Sequence, residues 1–218
     1  METLAEENYL KAVFKLSKGE KSAVSTGAIA EELKINAASV TDKLKRLSGK
    51  KLLHYEKSRG AFLTETGRKV AVSIIRKHRI WELFLVQKLG FKWDEVHEIA
   101  EQLEHVQSDK LIDKIDAMLG FPKTDPHGDP IPDKNGNFEQ EQTFFLSSLK
   151  AGKKYKFKGV TDHSPEFLKH LEKLGLIIGD SIQIKEVEEF DKTMQVILKG
   201  NKKAAITHRV ASNILVSE

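Results

Sequence analysis

The stretch "FPKTDPHGDPIPDKNGNF", residues 121–138, constrains the fold more than any other feature of the sequence. It holds four of the five prolines in the chain and two glycines. Proline lacks a backbone N–H and clashes with the preceding helical turn, so regular structure is interrupted here. Apolar residues recur at helical spacing before this stretch and alternate as in strands after Thr143. We therefore expect an α+β multidomain protein.

The first third of the chain carries the pattern of a winged helix-turn-helix. Residues 26–33 and 37–48 read as two short helices joined by about three residues, and Asn36 is a suitable N-cap for the second. Two short apolar runs then flank Lys57–Gly60, which predicts a β-hairpin. A hairpin that directly follows a helix-turn-helix forms a wing.

The remaining pattern predicts two further domains. Helical spacing continues to about residue 120, with a long helix that Thr64 caps, a second helix over 94–109 and a third over 110–119. The predicted boundaries are a winged helix-turn-helix DNA-binding domain at 1–72, a helical domain with its linker at 73–140, and a small β-barrel at 141–218.

Composition excludes several classes of protein. The chain has no cysteine, which excludes disulfides and thiolate metal sites. No apolar run is long enough for a membrane span, and the acidic N-terminus lacks the apolar core of a signal peptide, so we expect a cytoplasmic protein. Residues 1–75 hold 14 Lys and Arg against 9 Asp and Glu, whereas residues 94–141 hold 4 against 13. The basic N-terminal third could bind phosphate groups, and the acidic middle could attract cations.

Histidines and glutamates form a strip on the predicted helix over 94–109. At about 100° per residue the strip covers a third of the circumference or less, away from the apolar face. A histidine–glutamate pair at i, i+4 repeats the pattern on the preceding helix. The members are His78, Glu82, His97, Glu101, Glu104 and His105. Imidazole and carboxylate suit manganese, iron(II), cobalt or zinc. The alternative is a solvated face of ordinary i, i+4 pairs.

Motifs of catalysis are missing from the sequence. It contains no HExxH, GxSxG, P-loop or GxGxxG pattern. We therefore expect a protein that is not an enzyme. Two alternatives stay open at this point: a winged-helix regulator of a non-metal ligand, and a metalloenzyme built in a helical domain.

The order of these motifs resembles a known family. The helix-turn-helix and wing are followed by "RKHRIWELFL", "VHEIAEQLEHVQSD" and "DPHGDPIP". This order is similar to that of the metal-dependent repressors of the diphtheria toxin repressor and manganese transport regulator family. The C-terminal "PEFLKHLEKLGLIIGDSIQI" resembles the SH3-like FeoA-type domain of longer members. The resemblance implies a homodimeric repressor of metal-uptake genes that binds a palindromic operator in double-stranded DNA.

The resemblance also implies metal ligands. Glu101, Glu104 and His105 match the primary site of the family, which Asn8 would complete from the first helix. The ancillary site would combine residues of three segments: His78, Glu82, His97, His163 and Glu166. A carboxylate at position 101, where iron-sensing members commonly have cysteine, favours Mn²⁺, with Fe²⁺ as the alternative. Removing the side chain of Glu104 or His105 would then abolish the metal response and leave the fold intact.

The DNA contacts follow from the predicted helix-turn-helix, whose second helix enters the major groove with its N-terminal residues at the base edges. The candidates for base contacts are Ala37, Ala38, Ser39, Thr41 and Asp42. The candidates for phosphate contacts are Thr26, Lys43, Lys45, Arg46, Lys57 and Arg59.

Overall fold

The computed structural model describes residues 3–18, 22–139 and 141–218. Its helices fall mainly in the first half of the chain. They are α1 (Leu4–Leu16), α2 (Thr26–Glu32), α3 (Ala37–Gly49), α4 (Glu65–Leu89), α5 (His97–Leu103), α6 (Asp109–Met118), α7 (Pro165–Leu174) and α8 (His208–Ala211). None of the helices in the described ranges combines the length and the apolar character that crossing a membrane would need.

The strands form two antiparallel sheets. They are β1 (Leu53–Glu56), β2 (Gly60–Leu63), β3 (Phe144–Phe145), β4 (Lys154–Val160), β5 (Ser181–Val187), β6 (Met194–Ile197), β7 (Lys203–Ile206) and β8 (Ile214–Ser217). β1 pairs with β2, and the other six strands lie in the order β3-β8-β4-β5-β6-β7. The predicted α+β architecture, with its wing and its C-terminal β module, is confirmed.

Contacts divide the chain into two compact units. The first comprises Met1–His78, Glu101–Ile112 and Pro132–Phe138, and the second comprises Arg79–Ala100, Asp113–Ile131 and Glu139–Glu218.

The first unit is a winged helix with one apolar core. α2 begins at the cap of Ser25, whose hydroxyl accepts the Ala28 N–H, and α3 begins at the cap of Asn36, whose amide oxygen accepts the Ala38 N–H at 2.8 Å. Val40, Leu44 and Leu47 form the buried face of α3, and this burial of three aliphatic side chains fixes how α3 packs. The opposite face of α3 is therefore presented to solvent.

The second unit contains the six-stranded sheet and its own core. Alternate residues of β4 and β5 are buried, among them Phe157, Ile182 and Ile184, as expected for strands with one face inward. Leu168 and Leu171 of α7 join the same core. Gly175 ends α7 in the left-handed conformation, with φ of 76°, as a C-terminal cap.

The helix predicted over 94–109 is shorter in the structure. α5 ends at Leu103, and the Val106 N–H bonds to the Leu103 carbonyl in a tighter turn. Glu104 and His105 therefore do not continue the helical strip on which the prediction placed them. The Glu104 carboxylate instead contacts Lys11 and His78.

Candidate metal centre

Among the described residues, two groups of ionisable side chains that include histidines and carboxylates each lie within one unit. The Glu82 cluster, in the second unit, consists of Glu82, Asp125 and His127. The Glu104 cluster, in the first unit, consists of Lys11, His78, Glu101, Glu104 and His105.

The Glu82 cluster brings three potential metal ligands together. Glu82 comes from α4, while Asp125 and His127 come from the proline-rich loop. One ligand atom from each residue lies within 4.8 Å of the other two, and all three residues are buried. Two carboxylates and one imidazole form a donor set suited to a divalent first-row metal ion.

Backbone hydrogen bonds give the proline-rich loop its shape. Oδ1 of Asp125 accepts the His127 N–H at 2.8 Å and the Asp129 N–H at 3.0 Å, so the carboxylate closes a tight turn. The Val160 N–H donates to the His127 carbonyl at 3.0 Å, which attaches the loop to β4. The ligand positions are therefore set by backbone geometry as well as by side chains.

Arg79 of α4 holds the end of the same loop. Its guanidinium donates to the Pro130 carbonyl at 2.5 Å and to Oδ2 of Asp129 at 3.1 Å. Its Nε lies 3.7 Å from Oδ2 of Asp125. The guanidinium thus supplies a fixed positive charge beside the carboxylates of the loop, which lowers their mutual repulsion.

The His127 ring has one nitrogen engaged and one available for a ligand. Nε2 donates to the Trp93 carbonyl at 2.8 Å. Within the described ranges, the buried Nδ1 has no hydrogen-bond partner, and Oε2 of Glu82 lies 3.7 Å away. A backbone carbonyl that accepts from one ring nitrogen orients the other towards a metal. This orphaned buried nitrogen beside two carboxylates fits a bound divalent cation.

The pKa shifts of His127 and Asp125 agree with the fit of the Glu82 cluster to a divalent cation. Burial alone would lower the pKa of His127, but Glu82 and Asp125 outweigh it and raise the pKa to about 9. Burial, together with the neighbouring Asp129 and Glu82, raises the pKa of Asp125 to about 7. The metal-free cluster thus holds protons that compensate its negative charge, and a metal ion would replace them.

Two further histidines of the second unit lie next to this cluster. Nδ1 of His97 is 3.3 Å from Oε1 of Glu82. The His163 ring stacks on His127 with centroids 4.8 Å apart, and burial lowers the pKa of His163. Glu166 is exposed in the first turn of α7 and is not a member of the Glu82 cluster.

The Glu104 cluster has a lysine where a metal ion is predicted from the sequence. Nζ of Lys11 lies 2.5 Å from Oε1 of Glu104 and 3.5 Å from Oε1 of Glu101. Nδ1 of His78 lies 2.6 Å from Oε2 of Glu104. Burial opposes ionisation of Glu104, but His78 and Lys11 outweigh it and hold its pKa below the usual value. In this arrangement the cluster does not fit a divalent ion, because an ammonium already contacts both carboxylates.

The remaining expected ligands lie around the same cluster. His105 pairs through Nδ1 with Oε2 of Glu7 at 2.6 Å, and its Nε2 lies 3.7 Å from Oε1 of Glu104. Oδ1 of Asn8 is buried, with no hydrogen-bond partner in the described part of the chain. The structure thus brings the primary-site candidates together in one unit, around Lys11.

The expected DNA-binding residues lie mostly on exposed surface of the first unit. The exposed members are Ala37, Ala38, Ser39, Asp42, Lys45, Arg46, Lys57 and Arg59, and the half-buried ones are Thr26, Thr41 and Lys43. The neighbouring hydroxyls of Thr26 and Thr41 lower the pKa of Tyr55.

Sequence reasoning missed Asp125 and His127 as candidate ligands. Both lie in the segment "DPHGDPIP", which was used only as part of the overall resemblance. The available signal was the spacing Asp-x-His-x-Asp in a turn-forming segment, where alternate polar side chains lie close together. Glu82 on α4 lies 43 residues before Asp125 in the sequence, and only the fold brings these two residues together.

Three family models match successive parts of the chain. The N-terminal DNA-binding domain of iron-dependent repressors matches residues 2–61, and their metal-binding and dimerisation domain matches residues 64–133. The FeoA domain matches residues 145–218.

Individual proteins show the same likeness. The iron-dependent repressor IdeR of Mycobacterium tuberculosis is 36% identical over 126 residues, which are 58% of this chain and 54% of IdeR, so the match spans about half the length of that relative. A solved manganese-dependent transcriptional repressor in complex with manganese is 31% identical with a TM-score of 0.87, and the match covers 98% of this chain and 99% of that one. The manganese regulator SloR is 34% identical with a TM-score of 0.73, over 98% of both chains. The chain therefore belongs to the iron-dependent repressor family.

Proposed function

We propose that this protein is a metal-dependent, DNA-binding transcriptional repressor that senses Mn²⁺, with Fe²⁺ as the alternative, and controls metal-uptake genes. We assign DNA reading to residues 1–72, metal binding and dimerisation to residues 73–140, and an accessory role to the SH3-like module at 141–218. Such a repressor acts where its operator DNA is, which is the cytoplasm.

The observation that carries the metal-sensing part is the buried Nδ1 of His127 beside Glu82 and Asp125. An uncompensated polar atom in a protein interior costs free energy unless a ligand or hydrogen bond satisfies it. A divalent cation supplies the charge that compensates both carboxylates, and it accepts the lone pair of this nitrogen once the ring has lost its proton. Glu82, Asp125 and His127 would hold the ion, with His97 and His163 beside them.

The donor chemistry supports manganese over softer metals. Carboxylate oxygen and imidazole nitrogen are hard to intermediate donors, and the chain offers no thiolate. The relatives named iron-dependent and manganese-dependent repressors support the same two metals.

The exposed face of α3 supports DNA reading. Its N-terminal turn presents short side chains, Ala37, Ala38 and Ser39, which fit against base edges and thymine methyl groups. Lys45 and Arg46 on the same helix, and Lys57 and Arg59 in the wing, are exposed cations suited to phosphates. A homodimer would present two such faces to the halves of a palindrome. The exposed apolar side chains of Met118 and Phe121 are consistent with a dimer interface.

The decisive experiment measures DNA affinity with and without metal. A duplex recovered from a random library by selection in excess Mn²⁺ serves as the probe, at one fixed salt concentration. We expect affinity to rise about 100-fold from chelator to excess Mn²⁺, equivalent to about 2.7 kcal/mol of coupling. Equal affinity under both conditions would exclude metal sensing.

The Glu82→Gln variant links that response to the cluster. It keeps the shape of the side chain but removes one of the two carboxylates, so we expect it to lose most of the Mn²⁺ stimulation and to keep the metal-free affinity for DNA. Glu98→Gln on α5 is the matched control, because Glu98 is exposed and lies outside the cluster. Equal stimulation in both variants would place the sensing site elsewhere.

A further inference from the structure

Lys11 sits in the Glu104 cluster in the position that a metal ion would need. Its ammonium contacts both Glu104 and Glu101, and its side chain is only 8% exposed. The side chain of Glu104 is fully buried. A lysine buried to this degree is uncommon unless it is paired, and here it is paired with carboxylates.

Both oxygens of Glu104 are already used by protein groups. Oε1 meets Lys11 at 2.5 Å and Oε2 meets His78 at 2.6 Å. The neighbouring His105 is paired with Glu7. A divalent ion bound to Glu101 and Glu104 would therefore have to displace an ammonium from a buried, low-dielectric position, where repulsion between cations is strong.

Lys11 also joins distant parts of the first unit. It comes from α1, whereas Glu101 belongs to α5 and Glu104 to the turn that follows it. Glu7 on the same helix bonds both His105 and Gln107, the latter at 3.2 Å. Protein groups alone thus dock α1 onto residues 101–107, and the buried Oδ1 of Asn8 on the same helix takes no part in these contacts.

We infer that Lys11 is a built-in cation that replaces a metal ion in the Glu104 cluster. The cluster then holds α1 in place whether or not metal is present, and metal binding is confined to the Glu82 cluster. Lys11 is accordingly a specificity-determining residue that keeps a second cation out. The inference rests on the proposed function only where it assigns metal to the Glu82 cluster.

The test counts Mn²⁺ ions bound per full-length chain by equilibrium dialysis. We expect about one ion in the unaltered protein, none bound tightly in Glu82→Gln, and about two in Lys11→Met, which removes the ammonium but keeps the length of the side chain. The double variant Lys11→Met/Glu82→Gln should bind about one. Lys11→Arg is the matched control, since it keeps the cation and should bind as the unaltered protein does.

Several results would overturn the inference. One is that the Glu82→Gln protein still binds one Mn²⁺ ion tightly and the Glu82→Gln/Glu104→Gln protein does not. The ion would then occupy the Glu104 cluster and displace Lys11. That measurement does not require any Lys11 variant to fold. Another is a folded Lys11→Met or Lys11→Gln protein that binds no additional ion. If the unaltered protein binds none and Lys11→Met binds one, the proposed metal-sensing function fails while the inference about Lys11 stands.

Discussion

Replacing Glu104 with alanine is expected to lower the free energy of unfolding by about 3–5 kcal/mol, the range for removing one partner of a buried ion pair. The substitution leaves the Lys11 ammonium and the His78 ring without the carboxylate that both contact. It also leaves a cavity where a fully buried side chain was. From the sequence alone the fold is expected to survive this substitution, and the burial of Glu104 reverses that expectation.

The measurement is urea denaturation of the metal-free protein, followed by far-ultraviolet circular dichroism. Helical signal is the suitable probe because both tryptophans, Trp81 and Trp93, lie in the second unit, whereas Glu104 lies in the first. Glu101→Ala is the control, since Glu101 contacts the same ammonium from a side chain that is 49% exposed. That variant should lose about 1 kcal/mol or less. Equal losses in the two variants would contradict the buried pairing.

Replacing Gly128 with alanine is expected to weaken both the second unit and the Glu82 cluster. A Cβ at this position would lie 2.1 Å from the Lys158 carbonyl oxygen and 2.5 Å from Cα of Gly159. Both are backbone atoms of β4, so one of the two segments must move. Because Gly128 directly follows His127, we expect Mn²⁺ affinity to fall at least about tenfold, equivalent to about 1.4 kcal/mol.

Gly152→Ala separates this clash from the cost of backbone conformation. Gly152 has φ of 103° and Gly128 has φ of 92°, but no atom lies within 4 Å of a Cβ built on Gly152. Both variants therefore carry the cost of a left-handed residue, roughly 1–2 kcal/mol, and only Gly128→Ala adds the clash. Fluorescence of Trp93, whose carbonyl accepts from His127, reports the local change. An unchanged Mn²⁺ affinity in Gly128→Ala would show that the loop does not set the ligand positions.

The winged helix could be predicted from sequence because its signals are local. The cap at Asn36, the buried spacing of Val40, Leu44 and Leu47, and the glycine of the hairpin each act within a few residues. Local propensity and tertiary packing favour the same structure there, so periodicity was sufficient.

The candidate site could be predicted only in part, because its contacts are distant in sequence. Lys11 contacts Glu104, which is 93 residues away in the sequence. A contact at that separation cannot be predicted from helical periodicity. The helical strip also extended the predicted helix past Leu103, where α5 ends in the structure. Asp125 and His127 escaped notice because a loop has no period from which to identify them.

The donor atoms of the Glu82 cluster have a consequence for the conditions under which a sensor of this kind works. Peroxide converts thiolates to sulfenic acid and then further, and so disables sulfur ligands. Glu82, Asp125 and His127 offer only carboxylate oxygen and imidazole nitrogen. Oxidation of a ligand sulfur, which disables a cysteine-based centre, is therefore not a route by which this cluster can lose a bound metal.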